Sequence, residues 1–165
     1  MKKFLLFIIL LCSCSKNEIN PDLIVKNFDL NKYLGTWYEI ARYDNWFEKN
    51  LINVKAEYSL LENGKVKVIN SGYNKKSGKY ETIDGIAYLP VKDIGQLKVS
   101  FFKPFYSNYN IVILGENYQY AVIIGKGKKY LWILSREQKM PEKLYQNLLT
   151  KIENIGLDTQ KIIKN

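Results

Sequence analysis

The chain has 165 residues, enough for one domain with a substantial hydrophobic core. It contains no histidine, and its cysteines are Cys12 and Cys14, both close to the N-terminus. The sequence therefore offers no Ser-His or Cys-His catalytic pair and no His-ligated metal site. We expect no enzyme activity, no catalytic residues, no metal and no cofactor, although acid–base chemistry by Glu39 stays formally open. The formal net charge of +9 favours anionic partners.

The first residues predict a secretion signal and a lipid anchor. Lys2 and Lys3 precede an apolar run, residues 4–11, which is too short to span a bilayer as a stable helix. The tetrapeptide Leu11-Cys12-Ser13-Cys14 resembles a bacterial lipobox, in which the last Cys carries the lipid, and Ser15 resembles the sorting residue of outer-membrane lipoproteins. We expect a signal peptide over residues 1–13, the lipidated Cys14 and a tether over 14–29, and the folded domain over 30–165.

Short strands separated by turn signals follow along the chain. In residues 54–61, for example, apolar Val54, Ala56 and Tyr58 alternate with polar neighbours, which is typical of a strand with one buried face. Strands are predicted at 37–45, 54–61, 65–73, 79–89, 97–102, 109–114, 118–124 and 130–135. Eight antiparallel strands in this order predict an all-β fold, an up-and-down barrel wide enough for one small ligand.

A single helix is predicted after the last barrel strand. Pro141 suits the first turn of a helix, and Gly156 suits its C-terminal cap. Between them, apolar residues recur at helical spacing: Leu144, Leu148, Leu149, Ile152 and Ile155. This stripe favours a helix packed on the outside of the barrel, with a helix lying on a membrane as the alternative.

Two separated motifs give the chain a family resemblance. Gly35-Thr36-Trp37-Tyr38-Glu39-Ile40-Ala41-Arg42 and Tyr130-Leu131-Trp132-Ile133-Leu134-Ser135-Arg136 resemble the first and last barrel strands of the lipocalins. The resemblance is strongest to the bacterial outer-membrane lipoprotein subgroup related to apolipoprotein D. It implies that Gly35, Trp37 and Arg136 are structural, with the Arg covering the Trp at the closed end of the barrel.

The resemblance also implies which side chains face the interior. With Trp37 pointing inward, as in the family, alternation along each strand places a largely apolar set inside the barrel. The predicted ligand cavity is formed by Glu39, Ala41, Tyr43, Ala56, Tyr58, Val68, Ala87, Val99, Phe101, Tyr120, Tyr130 and Trp132. Glu39 would either contact a ligand head group or pair with an internal partner. A barrel filled by its own side chains is the alternative to a cavity.

Lysines collect in the connections that the topology places at one end of the barrel. We call this predicted feature the basic mouth, formed by Lys75, Lys76, Lys126, Lys128 and Lys129. It is suited to the carboxylate of a fatty acid, the phosphate of a lysophospholipid or an anionic membrane face, and plain solubilising lysines are the alternative. Trp46 and Phe47 beside it are candidates for a lid or a membrane contact.

Together these features predict a lipid carrier of the bacterial envelope. The resemblance implies that it stores or transports a fatty acid or lysophospholipid in the barrel, anchored to the outer membrane through Cys14 and facing the periplasm. An interaction protein with a filled barrel and an enzyme acting on a lipid are the alternatives. No nucleic-acid partner is expected, because no recognition motif accompanies the charge. The sequence leaves a homodimer open.

Overall fold

The computed structural model describes residues 19–165; the predicted signal peptide and Cys14 lie outside them. The strands are β1 (Gly35–Tyr43), β2 (Leu51–Leu60), β3 (Val66–Asn74), β4 (Lys79–Tyr88), β5 (Gln96–Phe102), β6 (Phe105–Leu114), β7 (Tyr120–Ile124), β8 (Leu131–Ser135) and β9 (Ile162–Lys164). The α-helices are the one-turn α1 (Leu30–Tyr33) and α2 (Glu142–Asn154). Within this part of the chain, no helix is long and apolar enough to cross a membrane.

Strands β1 to β8 form a closed antiparallel barrel. Each strand pairs with its neighbour in sequence, and β1 closes the barrel by pairing with both β2 and β8. The predicted eight-stranded up-and-down barrel is therefore confirmed. Successive connections alternate between its two ends. We call the end with connections 44–50, 75–78, 103–104 and 125–130 the open end, and the end with 61–65, 89–95 and 115–119 the closed end.

Apolar side chains form two clusters on opposite faces of the barrel wall. The interior cluster is centred on residues such as Trp37, Tyr58 and Leu97. The outer cluster lies between the barrel and α2, whose buried residues are Tyr145, Leu148 and Ile152. The predicted helix therefore packs on the outside of the barrel, where its apolar stripe is covered by protein.

The structure contains one strand that the sequence did not predict. β9 pairs with β1 from Ala41↔Lys164 to Tyr43↔Ile162, beyond the point at which β1 separates from β2. The pairing of β1 with β2 ends at Tyr38, so β9 takes over the free edge of β1. A strand of three residues is too short to show an alternating pattern, and only the tertiary pairing defines it.

The closed end is held by one guanidinium group. The Arg136 guanidinium lies 3.9 Å from the centroid of the Trp37 ring. It also donates hydrogen bonds to four backbone carbonyls, those of Lys32, Tyr33, Thr36 and Tyr118. The indole N–H of Trp37 donates to the Tyr33 carbonyl at 2.8 Å. Arg136 thus joins α1, β1 and the β6–β7 connection, which are far apart in sequence.

We expect Arg136→Met to lower the free energy of unfolding by roughly 2–4 kcal/mol, because the cation–π contact is lost and several carbonyls lose their donors. Arg136→Lys should recover only part of this loss, since an ammonium group lacks the planar fork of donors. Urea denaturation followed by circular dichroism measures both. The exposed neighbour Lys139 provides the control Lys139→Met, and equal losses in Arg136→Met and Lys139→Met would contradict the assignment.

Candidate functional site

The barrel interior is lined by apolar and aromatic side chains. Of the predicted cavity residues, the interior cluster includes Ala56, Tyr58, Val68, Ala87, Val99, Phe101 and Trp132. Tyr58, Val68 and Ala87 are buried, whereas the other four are only partly buried. Among residues 19–165, no group of three or more Cys, His, Asp or Glu side chains could hold a metal ion. The interior therefore offers an apolar environment to a ligand.

Three predicted cavity residues lie on the other face of the wall. Ala41, Tyr43 and Tyr120 belong to the outer cluster under α2, so their placement in the cavity was wrong. The register of β1 against β8 shifts between Glu39 and Ala41, and this bulge reverses the inward and outward faces of β1. In β7 the inward residues are Ala121 and Ile123, which leaves Tyr120 outside.

Tyr130 lies at the open end. Its ring stacks on that of Trp132, with centroids 5.9 Å apart. The centroid of the Phe47 ring, in the β1–β2 connection, lies 5.5 Å from that of Tyr130. Tyr130 is half-buried and is not part of the interior cluster. It therefore contributes to the rim above the interior, next to the aromatic residues of the first connection.

The bulge in β1 turns Arg42 toward the interior, where it is almost completely buried. Its guanidinium donates to the Glu39 carboxylate and to the side-chain oxygen of Asn165, and Asn165 also donates to Glu39. Glu39 thus has internal partners, one of the two roles that the sequence left open. The sequence did not identify Arg42, because a bulge inside a regular apolar strand has no clear signature.

Glu48 connects this network to the open end. The Arg42 guanidinium donates to the backbone carbonyl of Glu48 at 2.8 Å. The Glu48 carboxylate accepts hydrogen bonds from the indole N–H of Trp132 at 3.1 Å and from the Asn45 side chain. The oxygen of the Asn45 side chain accepts in turn from the Glu48 backbone N–H at 2.8 Å. The connection from β1 to β2 is therefore fixed to the barrel wall by buried hydrogen bonds.

The network contains two buried carboxylates, those of Glu39 and Glu48, and the buried guanidinium group of Arg42. The pKa of Glu39 is raised from 4.5 to about 7, because burial and the nearby Glu48 carboxylate, which raise it, outweigh Arg42 and Asn165, which lower it. Protonation of Glu39 therefore relieves the excess negative charge of the network.

Three tyrosine hydroxyls meet inside the barrel. The Tyr109 hydroxyl lies 2.7 Å from that of Tyr33 and 3.0 Å from that of Tyr58. Burial raises the pKa of Tyr58 to about 12 and those of Tyr33 and Tyr109 well above their ordinary values, so all three stay protonated. Three O–H protons share two O···O contacts, so one proton remains for a further acceptor such as a ligand oxygen or water. The sequence indicated only Tyr58.

At the open end, the lysines of the predicted basic mouth occupy two connections. Lys75 and Lys76 lie in the β3–β4 turn, and Lys126, Lys128 and Lys129 lie in the β7–β8 connection. The wall between β4 and β5 is incomplete here, because these strands pair only from Ile86↔Ser100 to Tyr88↔Lys98. The Phe101 ring lies against Gly85, the residue just beyond this pairing, since a Cβ atom at Gly85 would lie 2.7 Å from the ring.

The pKa of Glu39 predicts a pH dependence of stability. The pKa of Glu39 is about 7 in the folded protein and ordinarily 4.5, so protonated Glu39 stabilises the fold. This stabilisation is fully present below about pH 4.5 and is lost as the pH rises through 7. The side chain introduced by Glu39→Gln does not titrate. We therefore expect the free energy of unfolding of this variant to change with pH by up to about 3 kcal/mol less than that of the wild type. Urea denaturation at several pH values measures it. Glu116→Gln, at an exposed position, is the control, and parallel profiles for wild type and Glu39→Gln would refute the prediction.

Comparisons with known proteins agree with this architecture. The family model described as a lipocalin-like domain matches residues 28–165. The outer membrane lipoprotein Blc of Escherichia coli K12 is 42% identical over 160 residues, covering 95% of this chain and 89% of the relative. Apolipoprotein D of Cavia porcellus is 33% identical over 155 residues, covering 87% of this chain and 78% of the relative.

A solved structure with low sequence identity to this chain has the same fold. Insecticyanin of the tobacco hornworm Manduca sexta superposes with a TM-score of 0.70 at 23% identity, covering 90% of this chain and 84% of that one. The relatives named outer membrane lipoprotein confirm the predicted lipid-anchored location at the outer membrane. Members of the matched family are in general carriers of hydrophobic ligands. The chain belongs to the lipocalins, the family that the two signature motifs indicated.

Proposed function

We propose that this lipocalin stores or transports a lipid with a single acyl chain, a fatty acid or a lysophospholipid, while lipidated Cys14 anchors it to the outer membrane. The observation that carries the proposal is a closed barrel with an apolar, aromatic interior and lysine-bearing connections at its open end. The small residues Ala56 and Ala87 leave more room along the interior wall than larger side chains would.

Desolvation of the acyl chain supplies the affinity in this proposal. Burying about ten methylene groups at roughly 0.8 kcal/mol each gives a gross gain of about 8 kcal/mol, from which the costs of ordering the ligand are subtracted. The result suits reversible binding in about the micromolar range. The head group stays at the open end, where the basic mouth attracts a carboxylate or phosphate.

Native mass spectrometry tests the proposal directly. The form that begins at Ser15 is purified, its mass is measured under native conditions, and the lipids that accompany it are identified. A stoichiometric fatty acid or lysophospholipid supports the carrier function. A ligand-free mass that also resists loading with added lipid would contradict it and would favour the filled barrel of an interaction protein, in line with the complete burial of Trp37, Val66 and Leu97.

A substitution inside the barrel tests where the acyl chain lies. We expect Ala56→Phe to weaken fatty-acid binding by about tenfold or more, because the ring takes the place of several methylene groups. Displacement of a fluorescent fatty acid measures the affinity. Ser59→Phe is the matched control, since Ser59 is exposed on the same strand. Equal affinities in the two variants would place the ligand elsewhere.

Neutralising the basic mouth tests the head-group contact. We expect replacement of Lys75, Lys76, Lys126, Lys128 and Lys129 by Gln to weaken binding of anionic lipids by about three- to tenfold at low salt and to flatten its salt dependence. The control replaces five exposed lysines outside the open end, Lys65, Lys92, Lys139, Lys143 and Lys151, and so makes the same change in net charge. Unchanged affinity and salt dependence in the first variant would overturn this part of the proposal.

A further inference from the structure

Large aromatic side chains are exposed together at the open end. The exposed fractions are 83% for Trp46, 72% for Tyr80, 73% for Phe102 and 78% for Phe105. Trp46 lies in the β1–β2 connection, Tyr80 follows the β3–β4 turn, and the two phenylalanines flank the β5–β6 turn. These exposed rings therefore lie in or beside three connections at the same end of the barrel. An apolar group of this kind marks an interaction surface.

The connection that carries Trp46 is held in place from inside the barrel. Its two neighbours in the network, Asn45 and Glu48, are buried and hydrogen-bonded to each other, and Glu48 is also bound to Arg42 and Trp132. Trp46 is nevertheless exposed, and its ring is nearly perpendicular to that of Phe47, with the ring centroids 5.7 Å apart. The wall therefore fixes the connection while the indole points away from it.

The β5–β6 turn has the same character. Phe102 and Phe105 are paired partners at the end of the hairpin, and only Lys103 and Pro104 lie between them. A tight hairpin positions both rings at its tip, with a lysine between them. Aromatic rings beside lysine are the combination that the interface of a bilayer accommodates, with the ring at the boundary and the ammonium group near the head groups.

Positive charge surrounds these rings and is concentrated at this end. Connections at the open end carry the basic mouth together with Lys49 and Lys103 against Asp44 and Glu48, and Lys79 begins β4. Connections at the closed end carry Lys65 and Lys92 against Glu62, Asp93 and Glu116. The open end is therefore complementary to an anionic surface, whereas the closed end is near neutral. Each basic residue close to such a surface adds about 1 kcal/mol of attraction.

The start of the described chain also approaches the open end. Residues 19–26 run along the outside of the barrel, and Lys26 bridges to Ile94 in the closed-end connection. Ile19 lines a groove of about 490 Å³ that also contains Gly125, Lys126 and Gly127 of the open end. Four residues lie between Cys14 and Ile19, so the five steps from one to the other span at most about 18 Å. A lipid on Cys14 would keep this side of the barrel near the bilayer.

We infer that the open end is a docking surface for an anionic phospholipid bilayer, with Trp46, Tyr80, Phe102 and Phe105 at the level of the head groups and the lysines around them. The barrel then stands with its interior facing the membrane, so that an acyl chain passes between bilayer and barrel with little exposure to water. The docking requires only this surface, whereas the passage of an acyl chain rests on the proposed function.

Quenching of Trp46 fluorescence tests the docking. The full-length lipoprotein is reconstituted into vesicles of phosphatidylethanolamine and phosphatidylglycerol that contain brominated lipid, and Trp46→Ser identifies the emission of Trp46. We expect bromine to reduce this emission about twofold, and phosphatidylcholine in place of phosphatidylglycerol to weaken the effect. An emission of Trp46 that bromine leaves unchanged would overturn the inference.

Paired variants show whether the open end is responsible. Phe102→Ser with Phe105→Ser should reduce the quenching of Trp46, because two rings are removed from the proposed surface. Leu60→Ser with Val91→Ser removes two exposed apolar residues at the closed end and should leave the quenching unchanged. Circular dichroism confirms that each variant is folded. Equal quenching in the two double variants would contradict the assigned surface.

Two further readouts separate this inference from the proposed function. Native mass spectrometry of the variants reports bound lipid. A variant that loses the quenching of Trp46 but keeps its bound lipid would show that these rings serve docking and not lipid binding. A dimer that protects Trp46 from bromine would show a second copy on this surface and would overturn the inference. If the intact mass shows no acyl chains on Cys14, the proposed anchor fails, and protein added to the same vesicles still decides the docking.

Discussion

The bulge in β1 is the constraint on which much of this structure depends. β1 has to close the barrel against β2 and β8, and it also supplies the surface on which α2 packs. A regular strand would place Ala41 and Tyr43 inside. The bulge instead moves them under the helix and turns Arg42 inward, where its charge needs partners. Glu39, Glu48 and Asn165 supply them, which fixes both the first connection and the edge strand β9 in place.

The interior combines tight packing near the closed end with looser packing above it. Trp37, Val66 and Leu97 are completely buried, whereas Phe101 and Trp132 keep some exposure. The hydroxyls of Tyr33, Tyr58 and Tyr109 place polar atoms among these apolar groups, with one proton more than their mutual contacts use.

The two ends of the barrel have different chemistry because the strands alternate in direction. Every second connection lies at the same end, so residues as distant in sequence as Trp46, Phe105 and Lys128 lie at one end of the barrel. At the closed end the same rule lets Arg136 hold α1, β1 and the β6–β7 connection together. One end is thereby fastened by internal hydrogen bonds, while the other presents aromatic rings and positive charge to its surroundings.

The sequence by itself determined the barrel, the outer helix and the residues that hold the closed end. Alternating apolar residues, the spacing of the leucines in α2 and the motifs around Trp37 and Arg136 are local patterns with a regular period, so they can be recognised without coordinates. Only the tertiary structure decided the faces of Ala41, Tyr43 and Tyr120, the inward Arg42, the tyrosine hydroxyls and β9. A bulge changes the period at one position, and a buried pair such as Glu39 and Asn165 joins residues that are distant in sequence. Such contacts form only when the barrel closes, because no local periodicity encodes them.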